Sequence, residues 1–444
     1  MSAALRQEDV ACKHCWKLAH GLKIAYSHKI ALISLWLWDD IGVKMLSSSA
    51  WQRLLRRELV ALFWVIFVAD TVVGFLLPIF PLRAREIGAS LLLIGSLAAF
   101  NGATQVLASV PIGLLSDRFG RRLAIVFGSL CFALAALLLA LAPAPIWLLL
   151  AQVLLGLGIV SVFAMGAAMV GDYAAPSERG LAMGLLTTSM GLGFAAGPLL
   201  GGLLAERFGV GQSLLAFVLL SLVGAAFAWS MLVDEPMSRG VRATNPFANL
   251  RVLAADRLLL LAAVANLLIS PVFNGVVVNF VPIQAAQLGF SALMIGGLFS
   301  LRALGSSLTR LPTGAISTPT WSHRVMVFAL ALGGVSIMMV ATTTDYAGLS
   351  LALIAEGISY GVFLTAGQAF VTQYAEPQVR GAALGAYNMA GGISIALSPF
   401  LLGAVADWLG LDTVFYGMGV VLLVGALLLS LAFPRALAAR AHIY

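Results

Sequence analysis

Three ionisable side chains, Asp70, Arg302 and Glu356, lie inside long apolar runs of the sequence. Asp70 is twelve positions from the end of its run, or ~18 Å at about 1.5 Å per helical residue. An ionised group at the centre of a bilayer costs at least ~2.5–3.5 kcal/mol, so it usually faces a cavity, pairs with an opposite charge or binds a proton. The three residues are therefore candidates for proton binding or for charge recognition.

These charges allow two interpretations. In the first, Asp70 binds a proton, because desolvation favours the neutral form of a carboxyl group. Arg302 and Glu356 are then cavity charges that bind substrate or respond to the proton. In the second, Arg302 and Glu356 form a structural ion pair, and local polar groups cap Asp70. The sequence leaves both interpretations open.

Further polar or aromatic side chains in the apolar runs are predicted to line the same cavity: Gln152, Asn101, Asn274 and Tyr360. Tyr360 follows Glu356 by about one turn, so the two share a helix face. A stripe of this kind also serves ordinary helix packing. The runs contain no nucleophile–base pair, phosphate loop or set of metal ligands, so we expect neither an enzyme nor a bound metal or cofactor.

The composition excludes a soluble domain. Hydrophobic residues make up 61% of the 444-residue chain and charged residues 10%, whereas soluble chains carry about a quarter charged residues. A span needs roughly 20 apolar residues, and we predict twelve: 58–82, 91–112, 123–142, 147–170, 182–205, 213–233, 258–282, 292–313, 325–344, 349–372, 382–405 and 414–433. The lipid bilayer is thus a predicted partner.

The arginines assign the sides of the membrane. One set of loops and the C-terminal tail hold Arg118, Arg121, Arg122, Arg179, Arg239, Arg242, Arg251, Arg257, Arg324, Arg380, Arg435 and Arg440, whereas the other loops hold Arg83, Arg85 and Arg207. Arginine collects on the cytoplasmic side, so both termini are predicted to be cytoplasmic in a multi-pass protein of the cell membrane. The same rule explains the net charge of +7 without nucleic acid as a partner.

Five segments are predicted. They are an N-terminal cytoplasmic extension (1–57), two six-helix bundles (58–233 and 258–433), a polar cytoplasmic linker between the bundles (234–257) and a C-terminal tail (434–444). Residues 1–44 are expected to be a disordered or surface-lying addition before a natural start at Met45. Cys12 and Cys15 have metal-ligand spacing, but a single pair of cysteines is a weak signal. We expect a monomer.

The two bundles repeat with one offset. Tyr374 follows Tyr173 by 201 residues, and the same offset aligns Pro198 with Pro399 and many glycines along the halves. Transporters built from parallel repeats place their sites between the halves, near the bilayer midplane. The repeat therefore predicts where the cavity lies.

A short polar stretch separates the second and third runs, and its ordered residues are Gly113, Asp117, Arg118, Gly120, Arg121 and Arg122. A basic loop is ordinary between spans, and glycine lets helix ends approach and turn. The ordered pattern resembles the loop motif between the second and third spans of the major facilitator superfamily of secondary transporters. The resemblance covers about residues 58–433 and implies an all-α membrane fold of twelve helices in two pseudosymmetric six-helix bundles.

The resemblance also implies a conformational latch. In the family, an acid at the end of the fourth span pairs with the loop arginines, which gives Asp172 with Arg121 here, and Asp117 contacts the eleventh span. Such a latch would stabilise the outward-facing state and break on inward opening. The alternative is a set of solvated charges worth ~0–1 kcal/mol per pair.

The fifth span contains Gly193, Gly197, Pro198, Gly201 and Gly202. Small residues at this spacing allow close helix packing, and proline removes a backbone hydrogen bond. The pattern is similar to a motif of antiporters and drug exporters in the superfamily, and it favours export. Gln152 stands where proton-driven exporters of the family have an arginine, which puts that arginine's role in proton coupling in doubt here.

The sequence thus predicts a secondary transporter that works by alternating access, with proton-coupled export of a small, partly apolar molecule. Proton-linked uptake of a metabolite is the second hypothesis. A membrane assembly or binding factor with a transporter-like fold is the third, and the intact Asp117 and Arg121 count against it.

Overall fold

The structure is a computed structural model that describes residues 56–174, 178–234, 256–376 and 379–441, with side chains to residue 438. The predicted extension and linker lie almost wholly outside these ranges, as do Cys12 and Cys15. Their boundaries and roles stay predictions.

Twelve of the described helices are long and apolar enough to cross a membrane, which confirms the predicted fold class. They are α1 (Arg57–Glu86), α2 (Leu91–Phe119), α3 (Arg121–Leu141), α4 (Pro145–Tyr173), α5 (Arg179–Phe208), α6 (Val210–Met231), α7 (Arg257–Gln287), α8 (Ala292–Ile316), α9 (Ser322–Thr342), α10 (Tyr346–Tyr374), α11 (Arg380–Leu409) and α12 (Leu411–Ala441). The described part of the chain contains no strand.

The polar stretch after Pro111 differs from the prediction. The sequence predicts a loop here, but α2 continues to Phe119 and α3 begins at Arg121, so Gly120 alone separates the two helices. A helix that emerges from an apolar layer can continue with polar side chains, because its backbone hydrogen bonds are internal. Polarity therefore marked the end of the apolar layer rather than the end of the helix.

Two π-helical segments interrupt the spans, in α4 at Val160–Ala164 and in α7 at Val272–Val277. Pro271 comes directly before the second segment and has no backbone N–H to donate. Single π turns often occur at functional sites. The segment in α7 carries Phe273 and Asn274, which bear on the cavity described below.

The halves meet through matched contacts at the offset of 201 residues. A methyl group on Gly95 of α2 would collide with the carbonyl oxygen of Pro399 of α11, and one on Gly296 of α8 would collide with that of Pro198 of α5. The two contacts are equivalent under the offset of 201 residues, because each pairs a glycine of one half with a proline carbonyl of the other half. The pairs α2–α11 and α5–α8 therefore form a pseudo-two-fold interface between the bundles.

The halves separate toward one end, which we call the linker end because α6 ends and α7 begins there. Gly113 lies eighteen residues, about five turns, from Gly95, and Gly184 lies eighteen from Gly202, so each pair shares a helix face. Methyl groups on Gly113 or Gly184 would meet nothing within 4 Å, whereas Gly95 and Gly202 touch the other half. The interface is closed at the opposite end and open at the linker end, the predicted cytoplasmic side.

Candidate functional site

Asp70 lies on α1 at the boundary between the halves. Its side chain is buried and lines a cavity of about 120 Å³ together with residues of α5, α7, α8 and α10. Gly193 of α5 faces it, and a methyl group there would lie 3.1 Å from the Asp70 Cβ. The glycine thus gives α1 the room to place a carboxyl group at the boundary between the bundles.

The Asp70 carboxyl forms no hydrogen bond or ion pair with any described residue. The interpretation in which local polar groups cap it therefore finds no support. The facing wall of the cavity carries Arg310, which belongs to the other half. A buried carboxyl without a fixed partner is chemically suited to bind and release a proton, because no hydrogen bond holds it in one state.

Arg302 of α8 and Glu356 of α10 pair with each other. The Arg302 Nε donates to Glu356 Oε2, and its Nη2 donates to Oε1 at 3.1 Å. Both side chains are buried, with 3% and 1% of their surface exposed. The guanidinium also lies over the Phe273 ring at 3.7 Å and near the Tyr360 ring at 5.4 Å. The charge of Arg302 is therefore neutralised within the C-terminal half.

Arg310 is a site residue that the sequence analysis missed. It follows Arg302 by eight residues on α8, about 80° around the helix, and both line the cavity. Its Nε is buried and has no hydrogen-bond partner. The signal was present, because Arg310 lies inside the predicted span 292–313, three residues from its end.

The other predicted cavity residues divide into two groups. Tyr360 lines the cavity, and Asn274 lies beside it. Asn101 and Gln152 do not line it: the Asn101 side chain donates to the Gln152 carbonyl oxygen at 3.2 Å, where α2 packs on α4. Asn101 stands at the position equivalent to Arg302. At this position of the repeat, the N-terminal half therefore has a side chain that packs between helices, whereas the C-terminal half has a charged side chain that lines the cavity.

At the linker end, Gly120 joins α2 to α3 with φ of +99°, a conformation that residues with a Cβ rarely adopt. The Asp234 carboxylate caps α3 by accepting from the Arg122 N–H at 2.9 Å. A methyl group on Gly120 would collide with this carboxylate. Gly120 is thus required by both its backbone conformation and its neighbour, whereas Gly113 lies within α2 and does not form the turn.

We expect Gly120→Ala to destabilise the N-terminal half by about 1–2 kcal/mol, because alanine is strained at positive φ and displaces the Asp234 cap. Thermal unfolding of the purified protein measures the effect. Gly113→Ala is the matched control, since it adds the same methyl group in open helical surface and is expected to be neutral or slightly stabilising. Equal stability of Gly120→Ala and wild type would contradict this account of the turn.

Of the predicted latch contacts, the pair of Arg121 and Asp172 is formed although the linker end, the predicted cytoplasmic side, is open, so this pair is not a contact that breaks on inward opening. Arg121 forms an ion pair with Asp172 inside the N-terminal half, and Arg122 lies over the Trp229 ring at 4.2 Å. Arg118 lies near the Phe119 ring. Asp117 is exposed and has no partner among the described residues. Its predicted contact with α11 belongs to a state closed at the linker end, so the latch role stays a prediction.

The second half keeps the same contact without charge. Ser322 and Gln373 occupy the positions 201 residues after Arg121 and Asp172, and the Ser322 Oγ donates to the Gln373 Oε1 at 3.3 Å. The geometry of the two halves is therefore equivalent here, while the charges occur only in the N-terminal half.

The glycines of α5 allow close packing against both α1 and α8. Methyl groups on three of them would collide with α1, and one on the fourth would collide with α8: Gly193 with the Phe67 carbonyl, Gly197 with the Thr71 carbonyl, Gly201 with the Phe75 ring, and Gly202 with the Ala292 carbonyl. The helix that carries Asp70 and the helix that carries both cavity arginines are thus each packed on α5.

A sequence model of the major facilitator superfamily matches residues 62–322 and 264–442 of the chain. The chain belongs to this superfamily. Its described helices and its repeated halves agree with that membership, and the protein is a multi-pass membrane transporter.

Relatives within the superfamily are distant. An uncharacterised transporter of Methanocaldococcus jannaschii is 21% identical over 372 residues, which cover 81% of this chain and 94% of the relative. The Staphyloferrin B transporter of Staphylococcus aureus is 23% identical over 402 residues, covering 87% of this chain and 94% of the relative.

Among solved structures, a bacterial homologue of the human lysosomal transporter Spinster, in an inward-facing and occupied conformation, superposes with a TM-score of 0.69. It is 17% identical and covers 85% of this chain and 96% of its own. At this identity the likeness shows the fold alone.

Proposed function

We propose that this transporter exports a small, partly apolar molecule from the cytoplasm in exchange for protons, with the proton gradient as its energy source. The observation that carries the proposal is Asp70, a buried carboxyl without a fixed partner in a cavity between the two halves. A carboxyl group at this place contacts substrate, and its interactions with the other half change when the two halves move relative to each other. Both termini lie in the cytoplasm in this proposal.

Exchange requires that proton and substrate bind in turn. A substrate that donates a hydrogen bond or presents a positive charge to ionised Asp70 excludes the proton, and protonation removes that contact. Ionised Asp70 also attracts Arg310 of the other half, whereas neutral Asp70 does not. One proton therefore changes both the affinity for substrate and the attraction between the bundles.

The cavity walls support a partly apolar substrate. Phe194, Phe273 and Tyr360 form an aromatic group whose neighbouring ring centroids are 5.9 and 5.4 Å apart. Arg302 is already neutralised by Glu356, so Arg310 is the cavity cation with donors to offer. A molecule with an apolar body, a hydrogen-bond donor or positive charge for Asp70 and an acceptor for Arg310 fits these walls.

The direction of transport rests on the glycine-proline pattern of α5, which resembles that of exporters. Reconstituted vesicles test it with a compound panel, with and without an imposed pH gradient. In vesicles with an acidic lumen, exchange accumulates substrate inside, because protons leave as substrate enters. Proton-linked uptake depletes the acidic lumen instead.

Protein-free vesicles control for passive trapping of weak bases in the acidic lumen. Transport that ignores the pH gradient for every transported compound would overturn proton coupling. A panel in which no compound moves would favour the assembly-factor hypothesis.

A further inference from the structure

Two acids at the closed end of the interface occupy equivalent positions. Glu206 lies near the end of α5 and Asp407 near the end of α11, 201 residues apart, and each comes three residues before a glycine that ends its helix. Both side chains are exposed. The function proposed above uses neither of them.

Each acid contacts the first turn of a helix in the other half. The Glu206 carboxylate accepts from the Ser291 hydroxyl at 2.8 Å and from the Leu293 N–H at 3.3 Å, at the start of α8. Asp407 accepts from the Leu91 N–H at 3.1 Å, at the start of α2. The pairs α5–α8 and α11–α2 are the two that form the pseudo-two-fold interface.

The first turn of a helix is a favourable place for a carboxylate. Its N–H groups have no partner inside the helix, and the helix dipole adds positive potential there. The serine caps at Ser90 and Ser291 bond to the N–H groups of Leu93 and Met294. They leave the donors at Leu91 and Leu293 free for the acids, so each cap is completed by the opposite half.

Three other carboxylate contacts of the described helices each stay within one half. Arg121 pairs with Asp172, Asp234 caps α3, and Asp345 caps α10 through the Gly348 N–H at 2.8 Å. These contacts can persist whichever end of the transporter is open. The contacts of Glu206 and Asp407 break when α5 leaves α8 and α11 leaves α2.

We propose that Glu206 and Asp407 are a pair of pseudosymmetric latches that hold the end opposite the linker closed. Each places its carboxylate on the first turn of a helix in the other bundle. They are positioning residues of the transport cycle: they set the ratio of the two conformations and do not touch the cavity. The inference rests on alternating access, which is part of the proposed function.

The test uses spin labels at Glu86 and Gln287, which are equivalent positions on α1 and α7 at this end, and it measures their distance distribution in the purified protein. Glu206→Gln and Asp407→Asn keep an acceptor oxygen and remove the charge. A carboxylate at an exposed helix start is worth a factor of about 2 to 5. Each single change should raise the open-to-closed ratio by about that factor, and the double change by roughly the product.

Asp345→Asn is the matched control, because it removes the same type of carboxylate from a helix start at the same end, but within one half. It should leave the distances unchanged. High salt screens exposed charges, so raising it should shift wild type toward the double variant and leave the double variant unchanged. The salt-induced shift of the labelled chain with Glu206 and Asp407 intact does not depend on the folding of either latch variant.

The latch is overturned if the double variant keeps the wild-type distribution, if Asp345→Asn shifts it equally, or if one distance persists under every condition. Transport assays test the proposed function separately. If the protein exchanges protons for substrate but the double variant keeps the wild-type distances, the latch is wrong and the proposed function stands.

Discussion

Asp70→Asn is expected to abolish accumulation of substrate against its gradient and to leave only a slower equilibrative flux, because the substrate loses its contact with the ionised carboxylate. One proton exchanged across one pH unit supplies about 1.4 kcal/mol, which sustains at most about tenfold accumulation. Asparagine has nearly the same shape as aspartic acid and cannot ionise. The variant should therefore reach a ratio of about one, and its flux should not vary with pH.

The measurement is uptake into vesicles with an acidic lumen, over external pH values from about 5 to 8. Asp412→Asn is the control, since Asp412 is an exposed acid at the start of α12, far in sequence from the cavity residues. It should accumulate substrate as wild type does. An Asp70→Asn variant that still concentrates substrate would remove Asp70 from the coupling mechanism.

The second large effect concerns the buried pair. Glu356→Gln leaves the Arg302 guanidinium buried without a counter-ion, and we expect a loss of about 3–5 kcal/mol of stability, since breaking a buried ion pair by removing one partner strands a charge. Arg302→Gln should be similarly harmful. The apparent unfolding temperature of the purified protein reports both losses.

A double variant, Arg302→Met with Glu356→Leu, removes both charges and keeps much of the volume. Replacing a buried pair by apolar residues is often neutral, so stability should return toward that of wild type. Transport by this folded variant separates the two interpretations of the pair. Retained transport means a structural pair, and lost transport means that these charges act in the cavity. A stable Glu356→Gln would contradict the burial argument itself.

The fold could be predicted because a bilayer imposes strict requirements on sequence. Long apolar runs had to be helices, and the offset of 201 residues between Tyr173 and Tyr374 required equivalent halves. Helix ends were less certain, because polar residues such as Asp117 can continue a helix beyond the apolar layer. For the same reason α2 is longer than its predicted span.

The site could be predicted only in part. Asp70, Arg302 and Glu356 stood out because a charge within an apolar run is costly and therefore informative. Asn101 and Gln152 could not be assigned, because a membrane helix is apolar on its lipid face and on its protein face, so periodicity does not show which side a polar residue takes. Glu206 and Asp407 looked like ordinary surface acids, and only the approach of the two halves gives them partners.

The central claim is that protonation of Asp70 shifts the transporter between a conformation open at the linker end and one open at the opposite end. Spin labels at Leu115 and Ile316, equivalent exposed positions near the linker end, and at Glu86 and Gln287 at the opposite end, follow both distances as pH is lowered. In wild type we expect one of the two distances to increase and the other to decrease as pH is lowered. In Asp70→Asn we expect both distances to have their low-pH values at every pH. Distances that stay fixed, or that grow and shrink together, would contradict it.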